Sequence, residues 1–357
     1  MRKFKQSLAS FAVPLLSILL AFLIGAIIIA LRGASPLTAL QYLWKGAFGT
    51  KATLGTTLAK STPLIFTALC ACFAYRCGVF NLGGEGQFIM GSIVACVIGL
   101  NSGLTGLPGI LLCLIAGALA GGVWGLIPGI LKVTRGQNEM IISIMLNYVA
   151  TLLMGVVYTS WLRDANVPQT PSIPVGLKLS RIVHGMRFTS AFAIAVAVGL
   201  ILYYFLFRTS SGFKLRAVGY NMTASRFNGF PVNRYILASF IVSGAVAGLG
   251  GSAELLGSQF RLINGFGAGY GFDGVAMALI GQLHPIASMV VAIFFAALRT
   301  GSTTMQAATG VPTSVSDIIQ ALVIVFTVAG MALVKLPEFE TFRMKLSGGD
   351  RKEVKSA

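Results

Sequence analysis

An uncharged apolar run near the N-terminus most constrains what this chain can fold into. Phe11 to Leu31 are 21 consecutive residues without a charged side chain. As an α-helix this run would be about 31 Å long, which matches the hydrocarbon core of a bilayer. The composition extends the argument, because 55% hydrophobic and 10% charged residues exceed what a soluble core could hide. The chain is therefore predicted to cross a membrane several times, with the first run kept as a signal anchor after Arg2, Lys3 and Lys5.

Apolar runs bounded by polar clusters predict an all-α membrane protein of about ten transmembrane helices. Half of these spans precede the segment 162–187 and half follow it, so the two five-helix halves would be inverted relative to each other. The segments 80–86 and 269–274, each with glycines and one carboxylate, are a weak internal likeness that fits such a duplication. The predicted spans are 11–31, 53–75, 79–100, 110–131, 140–161, 188–207, 234–257, 271–283, 285–301 and 314–334.

The net charge of +17 reflects where the basic residues lie, and no nucleic-acid partner is predicted from it. Most of the 27 Lys and Arg share one side of the membrane if the N-terminus is cytoplasmic, which is the positive-inside pattern. Both termini are then cytoplasmic, and lipid surrounds the spans. The predicted parts are a cytoplasmic N-terminus at 1–10, a transmembrane domain at 11–334 and a cytoplasmic tail at 335–357. The domain contains a basic cytoplasmic loop at 208–233 and an extracellular loop at 162–187.

Polar residues in two glycine-rich segments are the candidate lining of a transport path. Charged and amide side chains are costly in hydrocarbon, so they persist there when they face a protein interior or a watery passage. Glycine has a poor helix propensity, so each segment is predicted to interrupt a helix and to present its end to a polar solute. Two alternatives stay open: an interfacial loop at 81–87, with Glu85 solvated or paired with Arg76, and an ordinary outer turn at 269–274. The candidates are Asn81, Glu85, Gln87, Tyr270, Phe272 and Asp273.

The sequence carries no legible motif for catalysis, phosphate binding or a metal. His184 and His284 have no cluster of further ligands around them, so no metal site is predicted. The pattern G-x-x-x-x-G-K-[ST] does not occur, so ATP and Mg²⁺ would bind another polypeptide, and no cofactor is expected on this chain. The 5 cysteines are interpreted as packing residues. A four-residue spacing predicts close helix packing at Gly117, Gly121, Gly125 and Gly129, and again at Gly244 and Gly248.

A short polar segment in the basic loop is the candidate contact with a separate ATPase. It could form two helical turns closed by a glycine, a common helix end. The alternative is a loop that is basic only because it is cytoplasmic. The candidate residues are Asn221, Thr223, Ala224, Arg226, Asn228 and Gly229.

Three motifs, in this order, resemble those of the permease subunits of bacterial ABC importers for simple sugars and nucleosides. They are G-V-F-N-L-G-G-E-G-Q-F-I-M-G at 78–91, L-R-A-V-G-Y-N-M-T-A-S-R-F-N-G-F-P-V with S-G-A-V-A-G-L-G-G inside 215–251, and G-Y-G-F-D-G-V-A-M-A-L-I-G-Q-L-H-P at 269–285. The similarity covers nearly the whole chain and is greatest to nucleoside permeases. It implies a place in the bacterial cell membrane and a coupling helix at 221–229 that enters a cleft on an ATPase subunit. It further implies a second permease, with a heterodimer favoured over a homodimer, and an extracellular solute-binding lipoprotein.

The resulting prediction is a permease subunit, not itself an enzyme, that moves nucleosides inward by alternating access. One alternative is a permease for a simple sugar such as ribose. A second is a carrier driven by an ion gradient, in which inverted halves, Glu85 and Asp273 would serve equally well. A membrane-embedded transferase is a third, but it would need a catalytic cluster at a membrane face, and the sequence shows none.

Overall fold

A computed structural model describes residues 2–164, 167–183 and 185–334, with side chains placed between 16 and 330. These residues form helices and no named strand, which confirms the all-α prediction. Single turns of π-helix extend α6 at Val157–Trp161 and α10 at Leu255–Gln259, and a 3₁₀ turn covers Val175–Leu177. The helices are α1 Arg2–Leu31, α2 Pro36–Phe48, α3 Lys51–Arg76, α4 Gly84–Asn101, α5 Gly106–Arg135, α6 Glu139–Val156, α7 Ser190–Arg208, α8 Ser210–Tyr220, α9 Met222–Phe227, α10 Val232–Glu254, α11 Tyr270–Ile280, α12 Pro285–Thr309 and α13 Ser314–Val334.

Seven helices in the described part of the chain are long and apolar enough to cross a membrane. An eighth span results if α1 and α2, which meet at a bend of 118°, count as one. Two predicted spans are missing from this count: 271–283 is only the 11-residue helix α11, and 314–334 is α13, in which side chains are described only as far as 330. At 1.5 Å per residue α11 is about 16 Å long, roughly half the hydrocarbon thickness. The polytopic prediction is confirmed, the number ten is approximate, and α11 is too short to be a complete span.

Two helices fall where the sequence predicted connections. α2 starts with Pro36 at its first position, where proline's missing N–H removes no hydrogen bond, and it packs on α12. α8 follows α7 directly and turns the basic loop into a helical segment, started by Thr209, whose hydroxyl accepts a hydrogen bond from Gly212 N at 3.1 Å. The predicted tail 335–357 lies outside the described residues.

The glycine-rich faces of α5 and α10 pack against each other without intervening side chains, which confirms the close helix packing that their spacing predicts. A Cβ on Gly121 would overlap the carbonyl oxygen of Gly244, and one on Gly248 would overlap that of Gly117. Small residues allow such close approach, which matters where lipid removes the hydrophobic drive between helices. α4 joins the same group, because a Cβ on Gly91 would overlap the backbone of Gly248.

The connections fall into two sets at opposite ends of the bundle. At one end, which we call the basic-loop end, Arg76 Nε donates to Leu283 O at 2.7 Å. The segment 209–232 lies there too, since Gly219 is in backbone contact with Gly78. At the other, the cavity end, Leu262 N donates to Thr170 Oγ1 at 2.9 Å, which joins the segment after α6 to the segment after α10.

Candidate functional site

The two glycine-rich segments predicted to interrupt helices meet inside the bundle. Val79–Gly83 lie outside helix and α4 begins at Gly84, while α11 begins at Tyr270 after Gly269, whose φ of 81° favours glycine. Gly269 N donates to Glu85 Oε2 at 3.1 Å. A Cβ on Gly271 would come within 2.5 Å of Glu85 N, so only glycine permits this approach. The starts of α4 and α11 therefore form one junction.

This junction lies well inside the bundle, as a comparison with the long helix α3 shows. Gly274, in the second turn of α11, packs on Thr67, where a Cβ would lie 2.5 Å from the Thr67 carbonyl carbon. Thr67 precedes the end of α3 by nine residues, or about 14 Å of helix. Both segments are thus broken-helix starts inside the bundle, so 269–274 is not a turn at its end. The alternative pairing of Glu85 with Arg76 is wrong, because Arg76 binds the carbonyls of Gln282 and Leu283.

Asn81 and Gln87 form a mutually hydrogen-bonded pair of amides at the start of α4. Asn81 Nδ2 donates to Gln87 Oε1 at 3.0 Å, and Gln87 Nε2 donates back to Asn81 Oδ1 at 3.0 Å. Asn81 also donates to Ser243 Oγ at 2.8 Å and accepts from Gly83 N at 2.9 Å. Each amide is 1% exposed. Satisfied polar groups at this depth hold the non-helical backbone of 79–83 in place.

A third buried amide supports the start of α4, and sequence reasoning missed it. Asn147 of α6 accepts from Gly86 N at 2.8 Å and donates to Leu82 O at 2.9 Å. It thereby replaces the intrahelical partners that the first turn of a helix lacks. The available signal was a lone asparagine inside an apolar span.

A cavity of about 710 Å³ opens at the cavity end. Its wall combines the first half of α3, the segment 178–189, the π-turn after α10, and α11 and α12. Glu254 lies in this wall and is 5% exposed, whereas Lys60, Arg181 and Arg187 are exposed. The cavity therefore has a cationic rim and a buried acid. The lining residues are Thr56, Ala59, Lys60, Lys178, Leu179, Arg181, Arg187, Thr189, Glu254, Gly257, Ser258, Gln259, Phe260, Tyr270 and Arg299.

An ion pair links the cavity wall to α11. Arg299 lines the cavity, and its Nη2 lies 2.6 Å from Asp273 Oδ2. Arg299 Nε also donates to Gln320 Oε1 of α13 at 3.4 Å. Both partners of the ion pair are partly exposed, so the charges are neutralised without being sealed from water.

The predicted path residues take different positions around this junction. Tyr270 lines the cavity and packs edge-on against Phe88, with ring centroids 5.7 Å apart. Glu85 is half-buried at the junction and Phe272 is exposed. The five predicted path residues besides Tyr270 are not part of the cavity lining, and their role in a path stays a prediction. They are Asn81, Glu85, Gln87, Phe272 and Asp273.

The candidate coupling segment is a capped helix on the surface of the basic-loop end. Asn221 precedes α9, and its Oδ1 accepts from Ala224 N at 2.9 Å. Asn228 Nδ2 donates to Ala224 O at 2.8 Å, and Gly229 follows with φ 76°. Both ends of this six-residue helix are therefore fixed by local hydrogen bonds. The side chains presented outward are those of Thr223, Ala224, Arg226 and Asn228.

An exposed aromatic residue on α9 was missed. Phe227 is 89% exposed, and Tyr220 and Phe213 of the preceding helix α8 are also exposed. Exposed aromatics at a polar end of a bundle mark a contact surface. The signal available in the sequence was Phe227 itself, between Arg226 and Asn228.

Metal ligands are not gathered in the described part of the chain. No group of three or more His, Cys, Asp or Glu residues there could hold a metal ion. His184 lies outside the described residues. His284 caps α12, and its ring stacks near Tyr203 and Phe207. The five cysteines are buried thiols, which suits a packing role.

Comparison with known proteins identifies the class to which this fold and junction belong. The family described as "Branched-chain amino acid transport system / permease component" matches residues 53–328. That range contains the junction, the cavity lining and α9. The chain belongs to this permease family, which confirms the class of transporter subunit predicted from the motifs.

Individual relatives match over most of their length. The guanosine ABC transporter permease protein NupP of Bacillus subtilis is 34% identical, covering 92% of this chain and 96% of the relative. The nucleoside ABC transporter permease protein NupB of Lactococcus lactis is 31% identical, at 93% and 94% coverage. A glucose ABC transporter permease protein of Haloferax volcanii is 30% identical, at 89% and 87%. A second nucleoside or guanosine permease from each of the two bacteria also matches. No solved structure matches the chain.

Proposed function

We propose that this chain is the membrane permease of an ATP-driven importer and provides the path by which nucleosides cross the membrane. The observation that carries the solute class is full-length similarity to permeases named for guanosine and nucleosides. The glucose permease among the relatives makes a simple sugar the second candidate. Solute class and coupling to ATP are separate questions and need separate measurements.

The cavity supports the proposed path. A volume of about 710 Å³ is within the range of small-molecule sites, and its lining mixes polar groups with the rings of Phe260 and Tyr270. Tyr270 is also the first residue of α11, so the cavity leads to the junction of the broken helices. Helix ends at such breaks offer unpaired backbone dipoles to a polar solute.

The basic-loop end is assigned to the cytoplasm. It carries Lys132, Arg135 and the basic residues of 208–233, as the positive-inside rule requires. The cavity end then faces outward, where a solute-binding lipoprotein would deliver the nucleoside. This orientation places both termini in the cytoplasm.

The surface of α9 is assigned to the ATPase subunit, which would hold ATP and Mg²⁺, so this chain needs no cofactor of its own. A short capped helix with an exposed phenylalanine fits a groove on a partner, because local capping reduces the entropy lost on docking. Closure of two ATPase domains would move α9 and its counterpart in a second permease, and would thereby rock the spans about the junction.

A second permease completes the proposed path. The two bacteria with nucleoside and guanosine permeases each have two such chains similar to this one. This favours a heterodimer of related permeases over a homodimer.

The test is uptake into cells that express the whole system, compared with a strain lacking only this permease. Labelled guanosine and uridine should enter only when the permease is present, while ribose and glucose should not. A protonophore should leave uptake intact, and a partner ATPase disabled in hydrolysis should abolish it. Permease-dependent sugar uptake without nucleoside uptake would show that the solute is a sugar and not a nucleoside. Uptake that continues without the ATPase would refute the proposal of ATP-driven import.

A further inference from the structure

Glu254 gives the outer cavity a buried hydrogen-bond acceptor with open acceptor sites. Its carboxylate accepts from Gln259 Nε2 at 3.4 Å and from the Ser258 side chain, and the described residues form no salt bridge with it. An ionised carboxylate has about four acceptor sites on two oxygens, so these two donors leave about half of them open. Open sites on a buried acceptor are unfavourable, so this group is suited to a partner that brings hydrogen-bond donors into the cavity.

Two aromatic rings line the same cavity as this acid. Lys178 Nζ lies 4.6 Å from the Phe260 ring centroid, which fixes that ring from one side. Tyr270 is held edge-on by Phe88. A flat solute group can stack on such rings while its hydroxyls reach the carboxylate.

Building on the proposed function, we propose that Glu254 is the hydroxyl-binding group of a solute site in this cavity, with the vicinal 2′,3′-diol of a ribonucleoside as its ligand. The two oxygens of one carboxylate match two adjacent O–H donors, and charge-assisted hydrogen bonds of this kind are the stronger ones. The base of the nucleoside then lies toward Phe260 and Tyr270.

The distribution of charge favours a neutral solute over an anionic one. The rim cations Lys60, Arg181 and Arg187 are exposed, so water and salt screen them. The other two cations of the lining have partners, because Arg299 is paired with Asp273 and Lys178 lies over the Phe260 ring. The least exposed titratable group in the lining is the acid Glu254, which offers hydrogen bonds but no positive charge to a phosphate placed beside it.

The experiment compares uptake of guanosine and 2′-deoxyguanosine by the whole transporter, at concentrations that load the binding protein with either solute. Because the binding protein is identical in every strain, a change in the uptake ratio reports on the permease. We expect the wild type to prefer guanosine and Glu254→Gln to reduce that preference about tenfold. Asp317→Asn, which removes an exposed carboxylate outside the cavity lining, should keep the wild-type ratio.

A second measurement tests the site if Glu254→Gln fails to assemble. Ser258→Cys places a thiol in the cavity lining, and guanosine should slow its reaction with a small aqueous reagent severalfold. Asn264→Cys, exposed outside the lining, should react at the same rate with or without guanosine.

The outcomes separate this site from the proposed function. An unchanged guanosine preference in Glu254→Gln, no preference in the wild type, or no protection of Ser258→Cys would overturn the site while permease-dependent guanosine uptake stands. Guanosine uptake that does not depend on this permease would overturn the proposed function itself.

Discussion

Replacing Asn81 with alanine tests how strongly the buried amide pair holds the start of α4. The change removes five hydrogen bonds: two with Gln87 and one each with Ser243, Gly83 N and the Cys70 thiol. Ser243 keeps its bond to Phe240 O and Gln87 Oε1 keeps its contact with a cysteine thiol. The Gly83 N–H and Gln87 Nε2 both lose Asn81 Oδ1 as their acceptor. At about 1–3 kcal/mol for each such buried group, Asn81→Ala should lower the free energy of unfolding by about 2–6 kcal/mol.

The assay is unfolding of the purified protein in mixed micelles by increasing denaturing detergent, followed by circular dichroism. Asn101→Ala is the matched control, because that amide is exposed at the end of α4 and donates to Val97 O at 2.8 Å. Removing this exposed hydrogen bond should lower the free energy of unfolding by less than about 1 kcal/mol. Equal stabilities for the two variants would refute the inference that the amide pair organises the junction.

Three further predictions concern packing, pH and coupling. Gly248→Ala should lower the free energy of unfolding by about 1–3 kcal/mol, because the new Cβ would overlap a carbonyl of α5. Unchanged stability in detergent would contradict the close helix contact. Burial and the nearby Arg76 lower the pKa of His284 from 6.5, so the unfolded chain binds its proton more readily. Thermal stability should therefore fall as pH drops through about 6.5, and His284→Asn should make this fall smaller. The same fall in the variant and the wild type would show that His284 does not cause it. Ala224→Asp should abolish ATPase docking while Gln137→Asp, in another exposed turn of the same end, should not; normal uptake by the first would refute the α9 assignment.

Much of the fold follows from the sequence because lipid leaves few alternatives to helices. Runs such as 11–31 and 188–207 had to be helical, and each lies in a helix that differs by a few residues at its ends or continues beyond them. The spacing of Gly117, Gly121, Gly244 and Gly248 predicted close helix packing for the same reason, and the structure shows that the two stripes pack on each other. The errors concern α2 and α11, whose lengths depend on packing partners. Hydropathy alone does not distinguish a half-length helix supported by the long helix α3 from a complete span.

The sequence predicted those features of the site that depend on neighbouring residues, but not those that depend on contacts between distant segments. Glycines and polar groups within a few residues of one another located the starts of α4 and α11, since local propensity governs where a helix can begin. The cavity brings together α3, α10, α11, α12 and the segment 178–189, and no spacing along the chain records that meeting. Glu254 consequently reads in the sequence as a carboxylate near a span end. Only the tertiary structure shows it buried in a cavity wall that also contains two aromatic rings, a setting that suits a ligand with hydrogen-bond donors.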